Sequence, residues 1–203
     1  MGHREDLLEG AVRCLRETGY AHTTARDIVA ASSTNLASIG YHYGSTKALL
    51  NAAVLAAMDD FGQQMAQAIG DLDADATTLE RFERFWTHII DSFRTSNQVW
   101  LATFDIFTVA QRDPDVRAAV ADGLEDARML WARMLYGVDA DDRRARAIGS
   151  LHQALVSGVL VQWLIDPERA PSPAELAAGL QAMADQLTAP SQANRIDGTS
   201  LSS

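Results

Sequence analysis

The chain has 203 residues, of which 47% are hydrophobic and 22% are charged, so it is too apolar for a disordered protein and suits one or two globular domains. Its formal net charge is −10, but residues 1–50 are neutral and the acidic excess lies after them. A neutral N-terminal region can still present its few cations to phosphate, so net charge does not exclude a nucleic-acid partner.

The N-terminal residues contain no apolar signal core, and no apolar run approaches the roughly 18 residues needed to cross a bilayer. These features predict a cytoplasmic protein without a membrane partner. The single cysteine, Cys14, lies in a helical pattern of leucine and alanine, so we interpret it as a small core residue. His88 and Asp91 have a metal-compatible spacing, but two ligands are too few. No metal or other cofactor is predicted.

Helical periodicity dominates the first 45 residues. A first helix ends at Gly19, and Thr24 then caps a short helix, with Asp27 in place of the Glu that usually completes a capping box. Residues 32–34 break the pattern, and a second short helix covers 35–43. This order is that of a helix-turn-helix, whose second short helix enters the major groove of DNA. The order alone is a weak signal, because an N-terminal helical hairpin without a DNA role shares it.

Six longer helices are predicted in the rest of the chain, because apolar residues recur there at helical spacing and no strand-like alternation is present. Their predicted starts are Ser45, Thr77, Asn97, Pro114, a point near Asp139, and Pro173. The sequence therefore predicts an all-α fold of about nine helices. We expect a three-helix helix-turn-helix domain at 1–48, a second helical domain at 49–189, and a flexible tail at 190–203.

Specific residues of the helix-turn-helix resemble a known family. They are Gly19-Tyr20, Thr23-Thr24-x-Arg26-Asp27-Ile28, the run 35–45 (Asn-Leu-Ala-Ser-Ile-Gly-Tyr-His-Tyr-Gly-Ser) and Leu49-Leu50. This stretch is similar to the DNA-binding domain of the TetR family of transcriptional regulators, and residues 39–45 stand where the family has a Tyr-x-His-Phe-type signature. The resemblance in motif covers about residues 4–50, and beyond it only helix count and lengths agree.

The resemblance implies that the two short helices hold DNA. Thr24 suits a phosphate contact, Arg26 can reach a base edge or a phosphate, and Tyr41 and His42 would meet phosphate through the hydroxyl and the ring N–H. For Ser38 and His42 the alternative is a solvated helix face. The expected DNA-binding residues are Thr24, Arg26, Asn35, Ala37, Ser38, Tyr41, His42, Thr46 and Lys47. Leu36, Ile39 and Tyr43 are expected to pack inward.

Two departures from the family pattern bear on DNA affinity. The family turn reads Gly-Val, but Ser33-Thr34 stands here, so a glycine suited to the left-handed backbone conformation is missing. The lysine expected directly after Ser45 is Thr46, and Lys47 follows one position later. These departures leave open a helical small-molecule sensor or interaction protein with weakened or lost operator binding.

The resemblance also implies an effector cavity among the middle helices. The expected effector-binding residues are Trp86, His88, Trp100, Phe104, Phe107, Trp131, Met134 and His152. Their aromatic character favours a small, mainly apolar or aromatic effector, although Arg94 and Arg128 keep an anionic one open. Aromatic residues at helical spacing are more often core, which is the competing interpretation.

The last two helices are expected to form a homodimer interface. Leu176, Leu180, Met183 and Leu187 follow a heptad-like rhythm, and the helix around 159–165 is apolar almost all round, which indicates burial on two sides. The expected dimerisation residues are Leu155, Val159, Trp163, Leu176, Leu180, Met183 and Leu187.

These observations together favour a ligand-responsive DNA-binding transcriptional regulator, most simply a repressor that a small effector releases from operator DNA. An enzyme on a helical bundle is the rival of another class. The sequence has no Gly-x-Ser-x-Gly motif, phosphate-binding loop, Cys–His nucleophile pair or metal cluster to support it.

Overall fold

The computed structural model describes residues 3–70, 75–137 and 143–189. Within these ranges the chain forms nine α-helices and no strand, which confirms the all-α prediction. The helices are α1 (His3–Thr18), α2 (Ala25–Ser32), α3 (Leu36–Tyr43), α4 (Thr46–Gly70), α5 (Thr78–Thr95), α6 (Asn97–Ala110), α7 (Pro114–Tyr136), α8 (Arg143–Ile165) and α9 (Pro173–Thr188). The helix start predicted near Asp139 and the tail predicted at 190–203 lie outside the described residues.

Short polar motifs begin the helices where the sequence places them. The Thr24 hydroxyl accepts from the backbone N–H of Asp27 at 3.3 Å, and the Asp27 carboxylate accepts from the backbone N–H of Thr24 at 2.9 Å, which is a capping box with Asp as its acid. Thr77 and Glu80 repeat this arrangement at the start of α5. Hydrogen bonds from Thr24 hold the pKa of Asp27 below its ordinary value. These caps satisfy N–H groups that the first turn of a helix leaves without a partner.

Two clusters of buried apolar side chains organise the protein. The first joins α1, α2 and α3 to the first half of α4 and to Val99, Ala102 and Ile106 of α6. The second joins the end of α4 to α5, α7, α8 and Trp100 of α6. Helices α4 and α6 therefore contribute to both clusters, and we call the part around the first cluster the head and the part around the second the body.

Helices α7 and α8 pack very closely at Gly149. A Cβ atom at this position would overlap the backbone carbonyl of Arg128 on α7. Only glycine allows the two backbones to approach this closely, so Gly149 fixes how α8 lies against α7.

Helix α8 corrects one expectation drawn from the sequence. Among the described residues it is the one helix long and apolar enough to cross a membrane by length and composition, with a mean hydropathy of 1.4 over an 18-residue window. The expectation that no run comes close is therefore wrong. Core helices of soluble proteins share this length and apolar composition, so the two properties are weak evidence for a membrane span. Only 28% of the window is buried within the chain, which leaves much apolar surface uncovered.

Candidate nucleic-acid interface and effector core

The turn between α2 and α3 is well formed although it lacks the usual glycine. Ser33 has φ 54° and ψ 34°, the left-handed conformation that the missing glycine would adopt freely. The backbone N–H of Thr34 donates to the Val29 carbonyl at 3.2 Å, and the Ser32 and Thr34 hydroxyls lie 2.8 Å apart. Hydrogen bonds therefore hold the turn in place of an apolar plug, and the backbone carries the conformational cost at Ser33.

The recognition helix α3 presents a polar face to solvent. The Asn35 side chain accepts from the Ser38 backbone N–H at 3.1 Å, so this residue caps α3. Tyr41 is 86% exposed and its ring packs edge-on against His42, with ring centroids 4.8 Å apart. Ala37 is also exposed. None of the nine residues expected to bind DNA is buried.

The inward face of α3 differs in part from the expectation. Ile39 is buried in the first cluster, and Tyr43 is half-buried with its hydroxyl donating to the Arg4 carbonyl at 2.8 Å. Leu36 is 54% exposed, so the expectation that it packs inward is wrong. It occupies the first position of the helix, where the chain has only just left the turn and the side chain does not reach the core.

Two cations of the head, Arg26 and Lys47, are available for phosphate. The ion pairs among the described residues include neither Arg26 nor Lys47, and both side chains are exposed. Lys47 also lines a groove together with Arg112, which follows α6. Sequence reasoning missed Arg112, because only the tertiary structure brings the end of α6 to the start of α4.

Three contacts tie α1 and the turn after it to the shared helices α4 and α6. Arg16 on α1 pairs with Asp60 on α4 at 2.6 Å, and the Tyr20 hydroxyl donates to the side-chain oxygen of Asn51 at 2.7 Å. A Cβ atom at Gly19 would overlap the side-chain amide of Gln98, so this side chain of α6 packs against the turn after α1. A movement of α4 or α6 would therefore shift α1 and the turn after it.

The body has an aromatic core built around a buried histidine. His152 is 1% exposed, and its ring lies 5.7 Å from the ring centroids of both Phe82 and Phe85. Phe85 also contacts Trp86 and Trp131, each at 5.6 Å. Nε2 of His152 lies 2.9 Å from the Tyr136 hydroxyl, and burial lowers the pKa of the imidazole to about 4. The ring is therefore neutral at physiological pH.

The other residues expected to bind an effector are spread over different surfaces. Trp100 is buried beside Phe93, its indole N–H donates to the Ser92 hydroxyl at 3.0 Å, and it borders a cavity of about 30 Å³. Drug-sized ligands need about 300 Å³ or more, so this cavity holds little more than water. Phe104 and Phe107 are 39% and 38% exposed on the outer face of α6.

His88 and Met134 are half-buried, and Nδ1 of His88 lies 3.0 Å from the Arg84 carbonyl of its own helix. The structure thus brings Trp86, Trp131 and His152 together, with Trp100 nearby in the same cluster. It does not bring Phe104 and Phe107 to them, because these rings face away from the body core. Tyr136 contacts His152, but no sequence pattern indicates this contact, because the two residues are separated in sequence and lie on different helices.

Helices α8 and α9 carry uncovered apolar side chains. They are Leu151, Val161, Ile165, Met183 and Leu187, all between 41% and 83% exposed. Leu155, Trp163, Leu176 and Leu180 are half-buried against the second cluster. Val159 is 3% exposed and lies within that cluster, so it is already covered by its own chain.

Comparison with known families decides what kind of protein this is. Residues 7–53 match the model for bacterial regulatory proteins of the tetR family, and residues 77–189 match the model for the tetracyclin repressor-like C-terminal domain. The chain belongs to the TetR family. TetR-family proteins are DNA-binding transcriptional regulators and not enzymes. Repression and homodimer formation are typical of the family.

Solved structures share the TetR fold along nearly the whole chain. A transcriptional regulator from Rhodococcus sp. RHA1 is 17% identical, with a TM-score of 0.69 over 90% of this chain and 95% of that one. The multidrug binding protein EbrR, complexed with proflavin, is 20% identical, with a TM-score of 0.62 over 90% and 99%. A regulator from Saccharomonospora viridis in complex with choline is 23% identical, with a TM-score of 0.59 over 90% and 95%. The comparison with curated proteins gives no match.

Proposed function

We propose that this TetR-family regulator is a homodimeric repressor, acting in the cytoplasm, that a small and mainly apolar effector releases from its operator. The observation that carries the proposal is the sharing of α4 and α6 between the two apolar clusters. An effector that displaces side chains in the body shifts helices that also form the core of the head. Ligands as different as proflavin and choline occupy similar folds, which supports a ligand-binding role for the body.

The head supplies the DNA contacts. Arg26 and Lys47 provide unpaired cations, Thr24, Thr46, Tyr41 and His42 provide polar groups for phosphate, and Ala37 and Ser38 face the bases from α3. Asn35 contributes by capping that helix. Because Gly40 leaves part of the helix without a side chain, few bases are read directly, and phosphate contacts carry a large share of the affinity.

The dimer places two heads on successive major grooves. Helices α8 and α9 form the interface through their exposed apolar residues, together with the half-buried Leu155, Trp163, Leu176 and Leu180. Val159 supports the interface only from within, since its own chain covers it. Val161→Asp is the sharpest test, because this side chain is 41% exposed in the protomer and the change need not disturb folding. Light scattering should report a dimer for the wild type and a monomer for the variant, and a wild-type monomer at micromolar concentration would refute the interface.

The repressor role is tested with the DNA that flanks the chain's own coding sequence. Fluorescence anisotropy should show binding that weakens steeply with salt, by a logarithmic slope of roughly −0.9 for each phosphate contact. Lys47→Ala should weaken operator and random DNA alike and reduce this slope. Arg26→Ala should weaken the operator more than random DNA if its guanidinium reads a base. Salt-independent binding would refute the phosphate roles.

The alternative is a small-molecule sensor with weakened or lost operator binding. Thr46 in place of a lysine favours it, since the first turn of α4 then offers one cation fewer beside Ser45. The formed turn at Ser33 disfavours it, because the two short helices keep their relative position without glycine. A dimer that binds no flanking DNA at low salt would support this alternative.

A further inference from the structure

Two polar atoms deep in the body core have no hydrogen-bond partner among the described residues. They are Nε1 of Trp86, a residue with 0% exposure, and Nδ1 of His152, with 1% exposure. Two further atoms, Nε of Arg128 and Oε1 of Gln153, share this property but belong to side chains that are only partly buried. A buried donor without a partner costs about 1–3 kcal/mol, so the first two are expensive to maintain.

The hydrogen bond to Tyr136 decides what Nδ1 of His152 can do. A neutral imidazole has one N–H and one acceptor nitrogen. A phenol hydroxyl is a much stronger donor than an imidazole N–H, so the 2.9 Å contact is best made by Tyr136 donating to Nε2. The imidazole proton then resides on Nδ1. Both unpartnered atoms, the Trp86 indole nitrogen and this one, are therefore N–H donors.

The donors lie within one aromatic environment. Phe82 packs against both rings, with centroid distances of 6.2 Å to Trp86 and 5.7 Å to His152, and Phe85 does the same at 5.6 and 5.7 Å. No Asp, Glu, Lys or Arg is among the buried side chains of the described residues. An anion would lose its hydration there without gaining a cation, and a cation would face two N–H dipoles without a carboxylate.

We propose that Trp86 and His152 form a donor pair that recognises a neutral aromatic ligand carrying a carbonyl oxygen. The inference rests on the proposed function and names the effector class of that same site. Its aromatic walls take the ring system, and the oxygen accepts from one or both donors. Because the rings are in contact in this conformation, the ligand must separate α5 from α8. That movement reaches α6, since Phe93 of α5 packs on Trp100 with centroids 5.1 Å apart.

The test uses four naphthalenes that differ at one substituent. They are 2-acetylnaphthalene, the isosteric hydrocarbon 2-isopropenylnaphthalene, 2-naphthoate and trimethyl(2-naphthyl)ammonium. Calorimetric titration of the full-length protein should give about tenfold tighter binding of the ketone than of the hydrocarbon, because the carbonyl serves a donor that is otherwise unpartnered. Both ions should bind more weakly than the ketone. A ketone-to-hydrocarbon ratio within twofold of one, tighter binding of either ion, or no binding of any probe would overturn the proposal.

Variants assign the selectivity to the donors. At least one of Trp86→Phe and His152→Leu should bring the ratio to within twofold of one while leaving the affinity for 2-isopropenylnaphthalene nearly unchanged. Trp100→Phe is the matched control, since its indole N–H already donates to Ser92, and it should keep the ratio. Retention of the ratio by both test variants would refute the donor roles. If Trp86→Phe does not fold, retention of the ratio by His152→Leu would refute the pairing of the two donors, because His152 would then contribute nothing to the selectivity.

The outcome separates this inference from the repressor proposal. Selective ketone binding that leaves the operator complex intact would refute release by this effector class and keep the donor pair. Release of the operator by the ammonium or the carboxylate alone would refute the donor pair and keep the repressor.

Discussion

Acidification should destabilise the folded protein through His152. Burial lowers the pKa of this imidazole from 6.5 to about 4. Between these values the unfolded chain binds a proton that the folded chain does not, so stability is complete above the unfolded pKa and is lost as the pH falls towards the folded one. The two values imply a loss of roughly 2 kcal/mol in the free energy of unfolding between pH 7 and pH 5, and roughly 3 kcal/mol below pH 4.

Urea unfolding of the wild type and of His152→Leu at pH 7, 6 and 5 measures this loss. The variant has no imidazole to protonate at this site. Between pH 7 and pH 5 its free energy of unfolding should therefore fall by roughly 2 kcal/mol less than that of the wild type. Protein concentration must be kept constant, since a dimer's apparent stability depends on it. Carboxylates that titrate in both proteins cancel in the difference.

Trp131→Phe is the matched control, because Trp131 is a buried ring that also contacts Phe85 and has no titratable group. It should retain the wild-type pH dependence. Equal pH dependence of the wild type and His152→Leu would show that the His152 imidazole accepts a proton in the folded state as readily as in the unfolded one. The closed aromatic core around it would then be refuted.

Two further predictions concern backbone geometry. Gly149→Ala should lower the free energy of unfolding by about 3 kcal/mol or more, because its Cβ would overlap the Arg128 carbonyl, whereas Gly123→Ala on α7 has open space and should raise it by about 0.5–1 kcal/mol. Equal effects in urea unfolding would contradict the close crossing of α7 and α8. Ser33→Gly should stabilise by about 0.5–1 kcal/mol, since φ is 54° there, and a thermal melt showing destabilisation would count against this turn conformation.

The sequence predicted those features that depend on neighbours along the chain. The capping boxes at Thr24 and Thr77 and the proline start of α7 are short-range patterns, and all three begin helices where expected. The helix-turn-helix followed from the same kind of signal, because its identity resides in adjacent residues.

Features that depend on packing between distant helices were not predictable in this way. A helical stripe of aromatic residues on α6 does not tell which of them face the core, and the structure separates buried Trp100 from exposed Phe104 and Phe107. The pairing of His152 with Tyr136 joins two helices with no local cue. Val159 fits an interface pattern, yet burial in its own chain follows from how α8 lies on α7.

The shared first cluster limits how this regulator can be re-engineered by exchanging parts. A head cut at residue 48 would lose Leu49, Ala53 and Val54 of α4 and the α6 side chains that complete its core. A chimera that joined a foreign head at this point would set unrelated surfaces against Gln98 and Asn51. Transplanting a new DNA specificity therefore calls for changing only the solvent-facing side chains of α2 and α3, while the residues that meet α4 and α6 stay with the recipient body.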